Sequence, residues 1–365
     1  MTSTLKTLDE ESSLRLKILR FPLIVGVIFI HNADSVVRFA QGVNSGTASA
    51  NVLTDFIRNL VSQGIARTAV PLFFLMSGYF FFRGLQSLKH DYFNRINSRI
   101  RSLLVPFLIW NIATLIVLAI GQFLPVTQGY FSGRTLAIAS FNFYDYIDAI
   151  FGITRRPISY QFWFIRDLMV LVLLAPAINF LITSRVQAYY ISILAGCWLL
   201  GVWPSPIPSA EAALFFSVGS VFAFNKKSLF GLDDKWLPIS IAYFITLLAD
   251  ILLRGTEWGQ YLHRTGIVLG VISALCLTKI IIRHARLKEV LVSLSGVSFF
   301  IFAAHEPMLT IVKKIVYKVI QPTSSLSNLA LYFLIPISLI ILLIWTYRIC
   351  ERTFPATTRV ITGGR

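Results

Sequence analysis

Arg20 and His31 stand eleven residues apart in the apolar stretch Arg20-Phe-Pro-Leu-Ile-Val-Gly-Val-Ile-Phe-Ile-His31. On a helix that spacing turns through about 1100°, about 20° from a common face, with an axial rise of roughly 16 Å. A guanidinium near one mouth of the helix is then in line with an imidazole deep along it. The imidazole exchanges a proton near neutral pH and suits a general base, while the guanidinium suits phosphate. Asp34 lies one turn past His31, placed either to accept from the imidazole and set its tautomer or to sit in water. Taken singly, Arg20 also reads as a snorkelling boundary charge, and His31 as an interhelical hydrogen bond. Pro22 is expected in or near the first helical turn, where its missing N–H is tolerated.

Other polar residues interrupt apolar runs, where each ionisable group costs about 2.5–3.5 kcal/mol at the centre of a span. One run reads Arg67-Thr-Ala-Val-Pro71-Leu-Phe73-Phe74-Leu-Met-Ser77-Gly78-Tyr79, and its Ser-Gly pair admits close approach of a helix or a slim ligand. A second opens Gln161-Phe-Trp163-Phe164-Ile-Arg166-Asp167. Adjacent charges do not face each other on a helix, so Arg166 and Asp167 each need a partner, a water-filled cavity or a substrate. A third ends in His305-Glu306-Pro307, and the chain closes with Tyr347-Arg348 and Glu351-Arg352.

The elements that must position these groups are membrane helices. The chain has 365 residues, 56% hydrophobic and 14% charged, against about 25% charged in a soluble domain. Its mean hydropathy is +0.71. Runs of about 20 apolar residues fall near 18–38, 65–83, 103–124, 162–182, 188–203, 211–225, 236–253, 265–282, 292–312 and 327–347. The expectation is an all-α polytopic bundle of about ten transmembrane helices, with both termini on one side. The tails and alternate loops on that side hold 20 Lys and Arg against 11 in the opposite loops, so both termini are expected in the cytoplasm. Residues 1–17 then form a cytoplasmic tail, 18–350 the membrane-embedded domain, and 351–365 a second cytoplasmic tail. The segment near 126–160, rich in aromatics, is expected outside as an interfacial belt or a glycan-contacting lid. The net charge of +16 follows this loop pattern and is not read as a nucleic-acid footprint. Cys197, Cys276 and Cys350 are too scattered for a disulfide framework or a zinc site, and no metal is expected.

These motifs together resemble acyltransferase family 3, the integral-membrane O-acyltransferases of bacterial surface polysaccharides. The resemblance runs over nearly the whole chain. It rests on Arg20 to His31, on Arg67 through Tyr79, and on Arg99-Ile-Arg101-Ser-Leu-Leu-Val-Pro106 with Trp110-Asn111. It continues through Trp163-Phe-Ile-Arg166-Asp167-Leu168 and Ser298 through His305, and ends less closely at Glu351-Arg352, where Pro355 comes late. It implies acetyl-CoA as a cytoplasmic donor, a glycan or lipid-linked glycan hydroxyl as external acceptor, and a multi-pass place in the bacterial inner (cytoplasmic) membrane.

On that reading His31 is the base and Asp34 orients it, with Arg166 and His305 stabilising the oxyanion or gripping the acceptor. Lys17, Arg20, Arg99 and Arg101 hold the nucleotide phosphates of the donor. Arg67, Ser77, Trp163, Asp167 and Glu306 line the acceptor side. His305 stands as the rival base to His31. A secondary transporter or flippase for an anionic or lipid-linked sugar is the competing reading, although no paired inverted halves are visible. A polymerase or ligase with a lipid-linked donor is a third.

Overall fold

In a computed structural model, residues 2–364 are described except 35, 40–43, 46–50, 85–87 and 132–135. Ser132 and Arg134 of the expected external segment therefore lie outside the described residues. The chain is 81% helical. Its helices are α1 Thr2–His31, α2 Val52–Arg58, α3 Ala69–Phe82, α4 Leu88–Arg99, α5 Val105–Phe123, α6 Pro125–Gln128, α7 Phe143–Phe151 and α8 Trp163–Leu173. There follow α9 Ala175–Thr183, α10 Gln187–Leu200, α11 Ala210–Phe224, α12 Trp236–Leu252, α13 Gly259–Arg283, α14 Ala285–Ile320, α15 Ser325–Thr353 and α16 Pro355–Ile361. Two-residue strands, Val37–Arg38 and Asn44–Ser45, pair antiparallel.

Among the described residues six helical stretches are long and apolar enough to cross a membrane: Val52–Phe82, Asp91–Phe123, Asp233–Leu252, Gly259–Arg283, Ala285–Ile320 and Ser325–Thr353. A seventh is Tyr160–Leu173 with Ala175–Thr183, bent by 62°. By that measure the count is six or seven and not ten. The other expected spans fall on α1 and on the shorter apolar helices Gln187–Leu200 and Ala210–Phe224. Span 18–38 is also shorter than expected. The helix ends at His31, and Val37 and Arg38 are extended. Pro22 lies inside α1, not in its first turn, because the helix begins at Thr2. The boundary expected at residue 17 falls within this same unbroken helix.

The chain divides into two compact units. The first comprises Met1–Val27, Gln63–Arg99 and Asp167–Ser298. Its tightest packing joins α3 to α11. A Cβ at Gly78 would stand 2.0 Å from the Phe216 carbonyl oxygen, and one at Gly219 would stand 2.0 Å from that of Leu75. Only glycine permits this backbone approach. Arg15 is buried at α1, with Nη1 and Nη2 on the Asp233 carboxylate at 2.6 and 2.7 Å and Nε on Thr278 Oγ1 at 2.7 Å. A bidentate pair of this kind compensates burial of the charge.

The second unit comprises Ile28–Ser62, Ile100–Arg166 and Phe299–Arg365. The end of α1 is fastened here by several polar bonds. Asn32 Nδ2 donates to Tyr332 O at 2.8 Å, Ser62 Oγ donates to Phe29 O at 2.6 Å, and Ser62 Oγ also meets the Tyr332 hydroxyl at 2.6 Å. The C-terminal residues are docked as well. Trp110 Nε1 donates to Ile361 O at 3.0 Å, and Gly363, at φ +69°, packs on the Ser102 backbone where a Cβ would stand 2.3 Å from its oxygen.

Candidate active site

Pro307 organises the site. It has no N–H to give a preceding carbonyl, and it pushes the residue before it toward extended backbone. Glu306 accordingly leaves the helical region, at φ −113° and ψ 137°, and breaks α14. The carbonyls at such a break need other donors. Gln161 Nε2 serves two of them, Ala303 O and Glu306 O, each at 3.1 Å. His305, with 0% exposure, directs Nδ1 at Phe302 O at 2.7 Å and Ile301 O at 3.3 Å.

The other nitrogen of His305 meets the end of α1. His305 Nε2 lies 2.9 Å from His31 Nδ1, with ring centroids 5.0 Å apart. A backbone carbonyl only accepts, so the His305 proton sits on Nδ1. With both rings neutral, His305 Nε2 accepts and His31 Nδ1 donates. The basic lone pair of His31 is then on Nε2. A buried histidine, itself oriented by the backbone, thus sets the tautomer of a half-buried one.

Tyr160 stacks beside this pair, its ring centroid 4.8 Å from that of His31. Its hydroxyl donates to Glu306 Oε1 at 2.9 Å, and Thr310 Oγ1, one turn on, donates to Glu306 Oε2 at 2.9 Å. Glu306 is 3% exposed, so both carboxylate oxygens are satisfied as burial requires. The approach to Tyr160 is fixed by Asn111. Its Nδ2 donates to Phe107 O at 2.8 Å and its Oδ1 accepts from Ser159 N at 3.1 Å, while Thr114 and Ser159 hydroxyls meet at 2.6 Å.

The remaining expected site residues have other surroundings. Asp34 is exposed, and its backbone carbonyl accepts from Lys313 Nζ at 2.7 Å. Spacing leaves Asp34 either on the imidazole or in water; the group on His31 Nδ1 is His305. Arg166 and Asp167 do take separate partners. Arg166 Nη1 donates to Gly152 O at 2.5 Å and Arg155 O at 3.3 Å, whereas Asp167 Oδ2 accepts from Ser209 N at the start of α11 at 2.8 Å. Arg166 thereby ties down the loop after α7, where Gly152 caps the helix in the left-handed region at φ +68°. That loop also holds Asp148. Burial alone would raise its carboxyl, but Thr154 N and Oγ1, each at 2.7 Å, and Arg155 Nε at 2.9 Å keep it below the ordinary carboxylate value.

In the first unit, Arg67 donates to Gln63 Oε1 from Nε at 3.0 Å and from Nη2 at 2.5 Å. Ser77 is half-buried on α3, beside the glycine that meets α11. Lys17 is exposed and Arg20 half-buried on α1, and Arg99 is half-buried at the end of α4. Arg101 is exposed in the second unit, and Trp163 is half-buried at the start of α8. The residues brought to one place are therefore His31, His305, Glu306 and Tyr160, with Gln161 and Thr310 supporting them. Tyr160, Gln161 and Thr310 had no role in the sequence reading. Their one sequence signal is position: Thr310 follows Glu306 by one helical turn, and Tyr160-Gln161 precedes the Trp163 motif.

A family model described as an acyltransferase domain matches residues 14–348. The succinoglycan biosynthesis protein ExoH of Rhizobium meliloti (strain 1021) is 26% identical over 367 residues, covering 98% of this chain and 94% of that protein. No solved structure matches. The match runs from within α1 to within α15 and includes both histidines of the pair, and on it the chain belongs to the acyltransferase family.

Proposed function

We propose that this protein is a membrane O-acyltransferase that moves an acetyl group from cytoplasmic acetyl-CoA to a hydroxyl of a surface polysaccharide or its lipid-linked precursor. The observation that carries the reading is the His31–His305 pair, with its tautomer set by Phe302 O, in a chain of the acyltransferase family. The polysaccharide acceptor is supported by the name of the related succinoglycan protein.

Acyl transfer needs a base for the alcohol proton and a route for the leaving thiolate. His31 Nε2 takes the proton of the acceptor hydroxyl as its oxygen bonds to the thioester carbonyl carbon. The imidazolium formed keeps its Nδ1–H on His305 Nε2, which is neutral and accepts that bond. Collapse of the tetrahedral species breaks the C–S bond, and the proton on His31 passes to the thiolate of CoA. Tyr160 packs against the His31 ring and limits how it turns.

The donor's nucleotide phosphates are assigned to Lys17 and Arg20 on α1, with Arg99 and Arg101. The eleven-residue spacing of Arg20 and His31, roughly 16 Å on an ideal helix, suits a slim pantetheine arm that leaves its charged end at the cations. The termini face the cytoplasm in this arrangement, in the bacterial inner membrane. The test is mass spectrometry of surface glycan from cells with and without the protein. Acetyl mass increments present only in the first carry the reading, and identical glycans remove it. Arg20→Ala adds a donor-side check, with CoA affinity falling about tenfold or more on loss of a charge-assisted bond.

A further inference from the structure

Two cations converge on the turn that follows His31. Arg58 of α2 donates through Nη2 to Ala33 O, and Lys313 of α14 donates from Nζ to Asp34 O at 2.7 Å. Backbone carbonyls carry no net charge, so neither cation is neutralised by these bonds. Among the described residues neither has a carboxylate at ion-pair distance. Arg58 is 8% exposed, stands over the Tyr332 ring at 5.4 Å, and has a buried Nε with no hydrogen-bond acceptor. The acids at longer range from Lys313 are Asp34 and Glu306, and both oxygens of Glu306 are already held by Tyr160 and Thr310. The place is also reachable, since Lys313 is half-buried and Asp34 and Thr310 are exposed.

A cation kept in an apolar setting without its own anion is costly unless something pairs with it in use. We propose that Arg58 and Lys313 form a carboxylate-binding site beside His31, seating an acidic group of the substrate next to the reacting hydroxyl. This inference rests on the acyltransferase reading and names a feature of its substrate. Ala33 and Asp34 are two and three residues past His31, at most about 11 Å along the chain. Such a reach fits a carboxylate on the acylated sugar or its neighbour, and not one several sugars away. It equally fits the far end of a short dicarboxylic acyl group. The chemistry is the same, and the source is settled by experiment.

The full-length protein in proteoliposomes is given de-O-acylated surface polysaccharide from its own cells, either native or with its carboxylates reduced to alcohols. In a second arm the donor is acetyl-CoA or the malonyl, succinyl and glutaryl thioesters. Acyl incorporation is read by mass spectrometry, and binding of each glycan and thioester by its shift of the thermal unfolding midpoint. One arm is expected to show at least about a tenfold preference for the carboxylated substrate, the size of a charge-assisted contact. An acceptor-arm preference identifies an acidic sugar, and a donor-arm preference an acidic acyl group. Arg58→Gln and Lys313→Gln should each bring that ratio close to one, and Lys313→Arg should restore it. Lys318→Gln, whose Nζ lies 4.5 Å from the Tyr130 ring centroid, should keep the wild-type ratio. Absence of a preference in both arms, or its survival in Lys313→Gln, overturns the site. Charge-dependent binding without any transfer keeps the site and removes the acyltransferase reading, while transfer without carboxylate preference does the reverse.

Discussion

His305 Nε2 stands 2.9 Å from His31 Nδ1, and the opposite nitrogen of His305 is held by the Phe302 carbonyl at 2.7 Å. The two rings are therefore unequal. His305 is held at both ring nitrogens, and the basic nitrogen of His31 is the one opposite the pair. On the proposed reading His305 acts through His31, as a positioning residue.

That inequality predicts how substitutions at His305 behave. His305→Ala should lower kcat by about 10–100-fold, below or at the low end of what a positioned base contributes, and leave KM for the donor near the wild-type value. His305→Gln offers a carbonyl oxygen that can accept from His31 Nδ1–H, so it should recover part of kcat. Steady-state kinetics of both variants check this. Equal damage in kcat and KM for both, with no recovery in the glutamine variant, would point to a general packing defect.

The pair also shows where sequence reasoning reached its limit. The all-helical class and the separate partners of Arg166 and Asp167 follow from local sequence, and the structure keeps them. His31 and His305 are 274 residues apart, and no periodicity relates two helices that far apart in the chain. They read as rival bases for that reason, and Asp34, the acceptor nearest in sequence, reads as either the orienting group or a residue in water. The span expected over 292–312 passes through Pro307, where the helix in fact breaks at Glu306. That Gln161 satisfies the carbonyls freed there is not legible in sequence, because the bond is tertiary. Pro22 misled in the opposite direction. A proline is expected near a helix start, yet α1 begins at Thr2 and carries it inside.

Helix packing gives a second prediction. Gly78→Ala places a Cβ 2.0 Å from the Phe216 carbonyl oxygen, backbone that cannot rotate away. Overpacking costs about 1–3 kcal/mol or more, so the variant should accumulate poorly or unfold at clearly lower temperature in detergent. Gly196→Ala on α10 meets nothing within 4 Å and should be neutral or slightly stabilising, since alanine favours helix by about 0.5–1 kcal/mol. Equal thermal midpoints for Gly78→Ala and wild type would contradict the α3–α11 crossing.

A third prediction concerns pH. The Asp148 carboxylate is held below its ordinary value by Thr154 and Arg155 against the opposing effect of burial. A lowered carboxyl stabilises the folded loop fully above the ordinary value, about 4, and that stabilisation is lost as pH falls through the lower folded value. Asp148→Asn should therefore raise hydrogen–deuterium exchange in the peptide covering residues 149–158 at pH 7, by an amount equivalent to about 1–3 kcal/mol. The difference from wild type should shrink at pH values below about 4. A difference that stays constant down to pH 3 would show that charge plays no part in the loop.

The central claim is that His31 is the base and that His305 works through it. The measurement is acyl transfer from acetyl-CoA to surface glycan by purified wild type, His31→Ala and His305→Ala, each first shown to bind CoA. His31→Ala should be slower by at least about 100-fold, with His305→Ala between it and wild type. Near-normal turnover in His31→Ala with none in His305→Ala would contradict the account and make His305 the base.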